Sequence, residues 1–110
     1  MRMLLQESLE NIPGVSKVYF QPPESTKLLY PCIIYELSDI SSMGADDINY
    51  LNIFSFSLTV IDKDPESNIP HEILSISDPF VATFDRFFTT DNMNHWTFTL
   101  ILRRLQSKED

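Results

Sequence analysis

Between Asn49 and Asp64 the chain reads NYLNIFSFSLTVIDKD, and its apolar and polar residues alternate. Phe54, Phe56, Leu58 and Val60 hold even positions, while Ser55, Ser57 and Thr59 hold the odd ones. A period of two puts these sets on opposite sides of a β-strand, so the segment predicts a long strand with one packed and one wetter face. Trp96, Phe98, Leu100 and Leu102 alternate with Thr97 and Thr99 in the same way and predict the last strand. Val15 to Phe20 reads as a short strand. After Pro31 the run Cys32-Ile33-Ile34-Tyr35-Glu36-Leu37 is almost wholly apolar, as in a strand covered on both faces by the fold or by a partner. Ala82 to Thr89 predicts a fourth strand, joined to the last by a turn at Thr90-Asp91-Asn92.

A different period marks the helices. Met1, Leu5, Leu9 and Ile12 recur at helical spacing, and Pro13-Gly14 stops that helix because proline cannot continue it and glycine suits a left-handed exit. Ile69, Ile73 and Ile76 make a second, short stripe. Ser67 or Asn68 serves as its cap, Pro70 opens it, and it stops before Pro79. Gln21 to Thr26, with its two prolines, predicts a stiff extended connector. Ser38 to Asp47, SDISSMGADD, reads as a long loop by composition, mobile when free and ordered by a partner. Together these elements predict an α+β fold: a single, mainly antiparallel β-sheet with the 49–62 strand central and two helices packed on one face. The expected organisation is one domain over residues 1–105 and a flexible tail over 106–110.

A chain of 110 residues with 43% hydrophobic and 12% aromatic content carries enough apolar mass for one packed core. No apolar run approaches the roughly 20 residues that cross a bilayer, so no membrane segment is expected, and the first residues, with Glu7 and Glu10, make a poor secretion signal. The single cysteine, Cys32, excludes an internal disulfide and reads as a buried, inert thiol. The net charge of -8 is uneven: between Leu28 and Leu102 stand eleven acidic residues against Lys63 and Arg86 alone. That balance repels phosphates and argues against sequence-specific DNA binding. It fits either simple solubility or a passage through which DNA slides without sticking.

The residues offer little catalytic chemistry. There is no glycine-rich phosphate loop, no zinc spacing and no nucleophile elbow, and no cofactor is expected. His71 beside Glu72 cannot complete a metal site, and reads as an exposed helix residue. A Ser-His-Asp set can be drawn from Ser75 or Ser77 with His95 and Asp85, but any chain of this composition permits such a drawing. Asp91, Asn92 and Asn94 are expected to satisfy turn backbone groups, with His95 and Trp96 anchoring the turn. On simple alternation Phe84, Arg86 and Phe88 share one side of their strand, and Asp85 and Phe87 the other. Arg86 then either lays its stem over the rings or reaches a carboxylate across a subunit contact. The candidate interaction residues are therefore Asp39, Asp46 and Asp47 of the predicted loop, with Arg86 and His95.

Taken as a series, Val18-Tyr19-Phe20-Gln21-Pro22-Pro23, Leu29-Tyr30-Pro31-Cys32-Ile33-Ile34-Tyr35, Thr59-Val60-Ile61-Asp62-Lys63-Asp64-Pro65 and Phe84-Asp85-Arg86-Phe87-Phe88 with Asp91-Asn92-Met93-Asn94-His95-Trp96 carry a resemblance. The chain, over roughly residues 15 to 102, resembles the small tail terminator, or tail completion, proteins of long-tailed double-stranded-DNA bacteriophages and related prophages. The resemblance implies a non-enzymatic virion assembly protein at the head-proximal end of the tail, present in the host cytoplasm before assembly. Its partners would be further copies of itself in a ring, expected as a hexamer, the tail tube protein, and the connector or neck proteins of the head. DNA would cross the lumen without specific binding. The matching segments read as core and turn positions, so no residue role is carried over. Two other readings stand beside this one: a head-closure or neck component of the same virion, and an acidic DNA mimic that inhibits a host protein.

Overall fold

The computed structural model describes residues 2–44, 49–76 and 80–107. Two helices and five strands follow in the order α1 (Arg2–Glu10), β1 (Lys17–Phe20), β2 (Cys32–Gly44), β3 (Asn49–Asp62), α2 (Ile69–Leu74), β4 (Phe80–Thr90) and β5 (Met93–Ser107). The strands form a single mixed sheet of order β1-β2-β3-β5-β4, giving an α+β architecture. β1 runs parallel to β2, and the other three pairings are antiparallel. The strand of strongest alternation, β3, lies at the centre of this order.

The even positions of β3 meet like positions on its neighbours. Val60 lies opposite Ile33 and Trp96, Leu58 opposite Tyr35 and Phe98, and Phe56 opposite Leu37 and Leu100. Phe56, Leu58, Val60, Phe98, Leu100, Ile33 and Tyr35 are buried in one cluster with Leu5 and Leu9 of α1 and Ile69 and Ile73 of α2. Full burial of one such side chain stabilises by about 1.5–3 kcal/mol, so this face supplies most of the folding energy. On the other face a smaller cluster of Cys32, Ile61 and Met93 is covered by Tyr19, Leu28 and Ile34.

Local chemistry sets the element ends. Gly14 takes φ +92° just beyond α1, the left-handed region that a Cβ disfavours. Asp91 and Asn92 have φ of 52° and 63°, so the β4–β5 connection is a two-residue turn with both central residues left-handed, the geometry that matches strand twist. Asn68 caps α2 by position without a side-chain hydrogen bond, while the Ser67 hydroxyl accepts from the Ile69 amide at 3.3 Å. Pro70 is the second residue of α2, not its first.

Three expectations are corrected. From Ser38 to Gly44 the expected loop is strand: β2 continues to Gly44 and pairs with β3 along its whole length, and the rest of that stretch, 45–47, lies outside the described residues. Backbone N–H and C=O groups pair with those of a neighbouring strand whatever their side chains, so turn-forming composition yields to the long β3 beside it. The register slips between Leu37 and Asp39, a bulge at Ser38 that brings Ile40 opposite Phe54 and so to the core side. β5 likewise runs to Ser107, two residues into the expected tail, with Asn49 opposite Ser107. Finally, β4 does not alternate simply. Its register slips between Phe84 and Arg86, so Phe84 and Phe87 share the face of Phe98 and Trp96, whereas Arg86 and Phe88 share the face of Thr97 and His95.

Candidate interaction surface

The sheet's second face is a field of hydroxyls. Register places Ser57 beside Thr99 and Thr83, and Thr59 beside Thr97 and Arg86, in rows that cross the strands. Glu36, opposite Ser57, and Asp39, opposite Ser55, add carboxylates at the β2 side, and both are exposed. Asp85 is exposed at the β4 side, where its Oδ2 accepts from the Thr99 hydroxyl at 2.9 Å. The alternation that buries one face of β3 thus leaves an acidic, hydroxyl-rich face behind it.

Arg86 and His95 come together on this face, about Phe88. The Arg86 guanidinium lies 4.7 Å from the centre of the Phe88 ring. The His95 ring stacks on the same ring at 4.7 Å and 10°. Both contacts are favourable, through the ring quadrupole and through stacking, and His95 Nδ1 lies 3.2 Å from the Met93 carbonyl. Asp39 belongs to a different part of the face, with β3 and β5 between its strand and that of Arg86. Asp46 and Asp47 lie outside the described residues.

With Ser75 the drawn Ser-His-Asp set is not assembled. Ser75 closes α2, whose Ile69 and Ile73 join the main cluster, to which His95 does not belong, and Asp85 is engaged by Thr99. Ser77 lies outside the described residues. Among the described residues no three His, Cys, Asp or Glu side chains gather about a point that would hold a metal. Cys32 is fully buried, and burial pushes its thiol up to about 11, away from thiolate reactivity.

Asn94 is the polar residue whose role the sequence only half displays. It is buried, and its amide nitrogen donates to the carbonyls of Asp62 and Lys63 at 3.2 and 3.1 Å. Asp62 and Asp64 turn their carboxylates to the backbone, accepting from the amides of Asp64 and Glu66 at 3.0 and 2.9 Å. These carboxylates therefore shape the exit from β3.

On the core face, the apolar surface is not fully enclosed. The strands of 13 to 15 residues give the molecule extents of 52 × 29 × 23 Å. Where α1 ends its cover, Arg2, Phe20, Leu37, Ile40, Phe54 and Phe56 line an open groove of about 210 Å³. Leu37 and Ile40 are 40% and 54% exposed there, a degree unusual for aliphatic side chains on a core face. The Ser38 bulge creates this feature, since it turns both residues to the same side. No helix among the described residues is long and apolar enough to cross a membrane. No protein-family model and no curated protein matches the chain.

Proposed function

We propose that the protein is a tail terminator: a non-enzymatic subunit that assembles as a ring, expected as a hexamer, on the end of a phage tail tube and joins it to the head connector. The observation that supports this most directly is the open apolar groove at which Leu37 and Ile40 stay exposed. An apolar groove at Leu37, Ile40 and Phe54, backed by an acidic hydroxyl face, is what a subunit needs to bind neighbours on one side and face a polyanion on the other. In this reading the mainly antiparallel sheet carries both helices on one face, so that the opposite face turns to the lumen. Glu36 and Asp39 would then keep DNA from adhering as it passes. The resemblance of residues 15 to 102 to tail completion proteins supports the same assignment. A head-closure role would use the same surfaces on a different partner.

The test is to add the purified chain to polymerising tail tube protein and examine the products by negative-stain electron microscopy. Tubes arrested at a uniform end, each bearing a ring, are expected. A chain that neither forms rings nor binds tube ends would overturn the proposal, and binding to the connector alone would move it to head closure.

A further inference from the structure

β4 is an outer edge of the sheet, and among the described residues no strand lies along its other long side. Such edges pair readily with any extended chain unless charge or a bulge interferes. β4 carries both, with Asp85 and Arg86 at mid-strand and the register slip between Phe84 and Arg86. The slip sorts the side chains in an unusual way. Phe84, opposite Phe98, and Phe87, opposite Trp96, both emerge on the core face and are 44% and 47% exposed. Asp85, held by Thr99, and Arg86, opposite Thr97, both emerge on the hydroxyl face.

We propose that β4 pairs antiparallel with β4 of a second copy, about a two-fold axis between Asp85 and Arg86. In that register Asp85 lies opposite Arg86 of the second copy, and the symmetry makes this ion pair twice. Phe84 lies opposite Phe87 of the second copy, also twice, on the other face. Thr83 meets Phe88, and Ala82 meets Thr89, each pair again on a shared face. The fit depends on the bulge. In a regular strand Asp85 and Arg86 would leave on opposite faces, and no two-fold normal to the sheet could bring them together. The charges that discourage a strand of arbitrary sequence are complementary to this chain's own edge. This inference does not depend on the tail-terminator reading.

Sedimentation equilibrium of the full chain tests it. The expected mass rises with concentration from 12.8 kDa toward twice that value. Asp85→Arg and Arg86→Asp each set like charges opposite one another and should weaken self-association by roughly tenfold or more. An equimolar mixture of the two variants restores the dimer, because each then faces its opposite. Far-UV circular dichroism checks that both remain folded. Should either unfold, the variant carrying both Ala82→Cys and Thr89→Cys provides an independent readout, forming a disulfide-linked dimer under oxidation. A wild type that stays monomeric at its solubility limit, a variant mixture that does not associate, or cysteines that do not cross-link would each overturn the proposal.

Discussion

Tyr35 donates its hydroxyl hydrogen to Oε1 of Gln6 at 2.6 Å, tying the sheet to α1 through a fully buried ring. Arg2 Nη1 donates to the same hydroxyl at 3.3 Å and lays its guanidinium 4.6 Å from the centre of Phe20. Burial raises the phenol's pKa, and the Arg2 hydrogen bond and charge oppose that rise. The ring also contacts Phe20 and Phe56, at 4.9 and 5.9 Å. One side chain therefore carries both the apolar and the polar attachment of the first helix.

Removing only the polar attachment isolates it. Tyr35→Phe leaves Gln6 Oε1 without its donor and is expected to cost about 1–2 kcal/mol in urea unfolding. A double-mutant cycle with Gln6→Leu should show a coupling of about 0.5–1.5 kcal/mol. Zero coupling would mean that the hydroxyl acts through some other group.

Phe56 is nearly enclosed between Tyr35 and Leu100, whereas Ser57, its neighbour, is exposed. Phe56→Ala is expected to lose about 3–5 kcal/mol. Ser57→Ala should change stability by no more than about 0.5 kcal/mol. Denaturant midpoints of the two variants compare the faces directly, and a loss below about 1 kcal/mol at Phe56 would contradict its place in the core.

Alkaline pH probes Cys32. Its thiol moves from 9.0 to about 11 on folding, so the folded chain holds the proton more tightly. Stability from this group is complete below pH 9 and is lost as pH rises toward 11, because the unfolded chain ionises first. The loss amounts to about 2–3 kcal/mol across that window. Tyr35 moves in the same direction, so the measurement is a difference: Cys32→Ala should show a shallower fall in urea stability between pH 8.5 and 10.5 (values chosen within about two units of the ordinary thiol range) than the wild type.

Ile40 tests the groove separately from the fold. Being more than half exposed, it should tolerate Ile40→Asp with a stability change of about 0.5 kcal/mol or less. Tube-end binding should nevertheless fall strongly if the groove holds a neighbouring subunit or the tube. Equal binding by the variant and the wild type would remove the groove from the interface.

Glu36 and Asp39 test the hydroxyl face. Glu36→Lys with Asp39→Lys should create DNA binding that weakens steeply with salt, by counterion release, while leaving ring formation intact. Glu7→Lys with Glu10→Lys, on α1, is the control. Equal DNA affinity in assembled rings of both variants would show that the sheet face has no special relation to the DNA path.

What the sequence displayed and what it concealed divide along physical lines. The periods of β3 and β5 were legible because solvent and core act on each residue locally, and the Asp91-Asn92 turn because few residues accept left-handed backbone. Pro13-Gly14 marked the end of α1 for the same reason. The extension of β2 past Leu37 was not legible, since backbone pairing is supplied by another strand and leaves little trace in side chains. Neither were the bulges at Ser38 and Asp85, the second of which reversed the sides of Arg86, Phe87 and Phe88 relative to Phe84. The parallel pairing of β1 with β2 also escaped, because strand direction depends on the route of the connector. Arg86 and His95 were singled out separately, and only the cross-strand position of Phe88 makes them neighbours.

The open groove at Leu37 and Ile40, beside a fully buried core, implies two regimes of motion within one sheet. Amides near Val60 and Phe98 are backed by buried side chains and should exchange with deuterium only when the whole chain unfolds. Those at Ile40, Ser41 and the β5 residue opposite Ile53 lie in or beside the open groove, and should exchange by local opening. The protected and unprotected amides would then lie on the same three strands. The sheet would behave as a stiff plate continued by a pliable ribbon, with the change of stiffness falling near the Ser38 bulge.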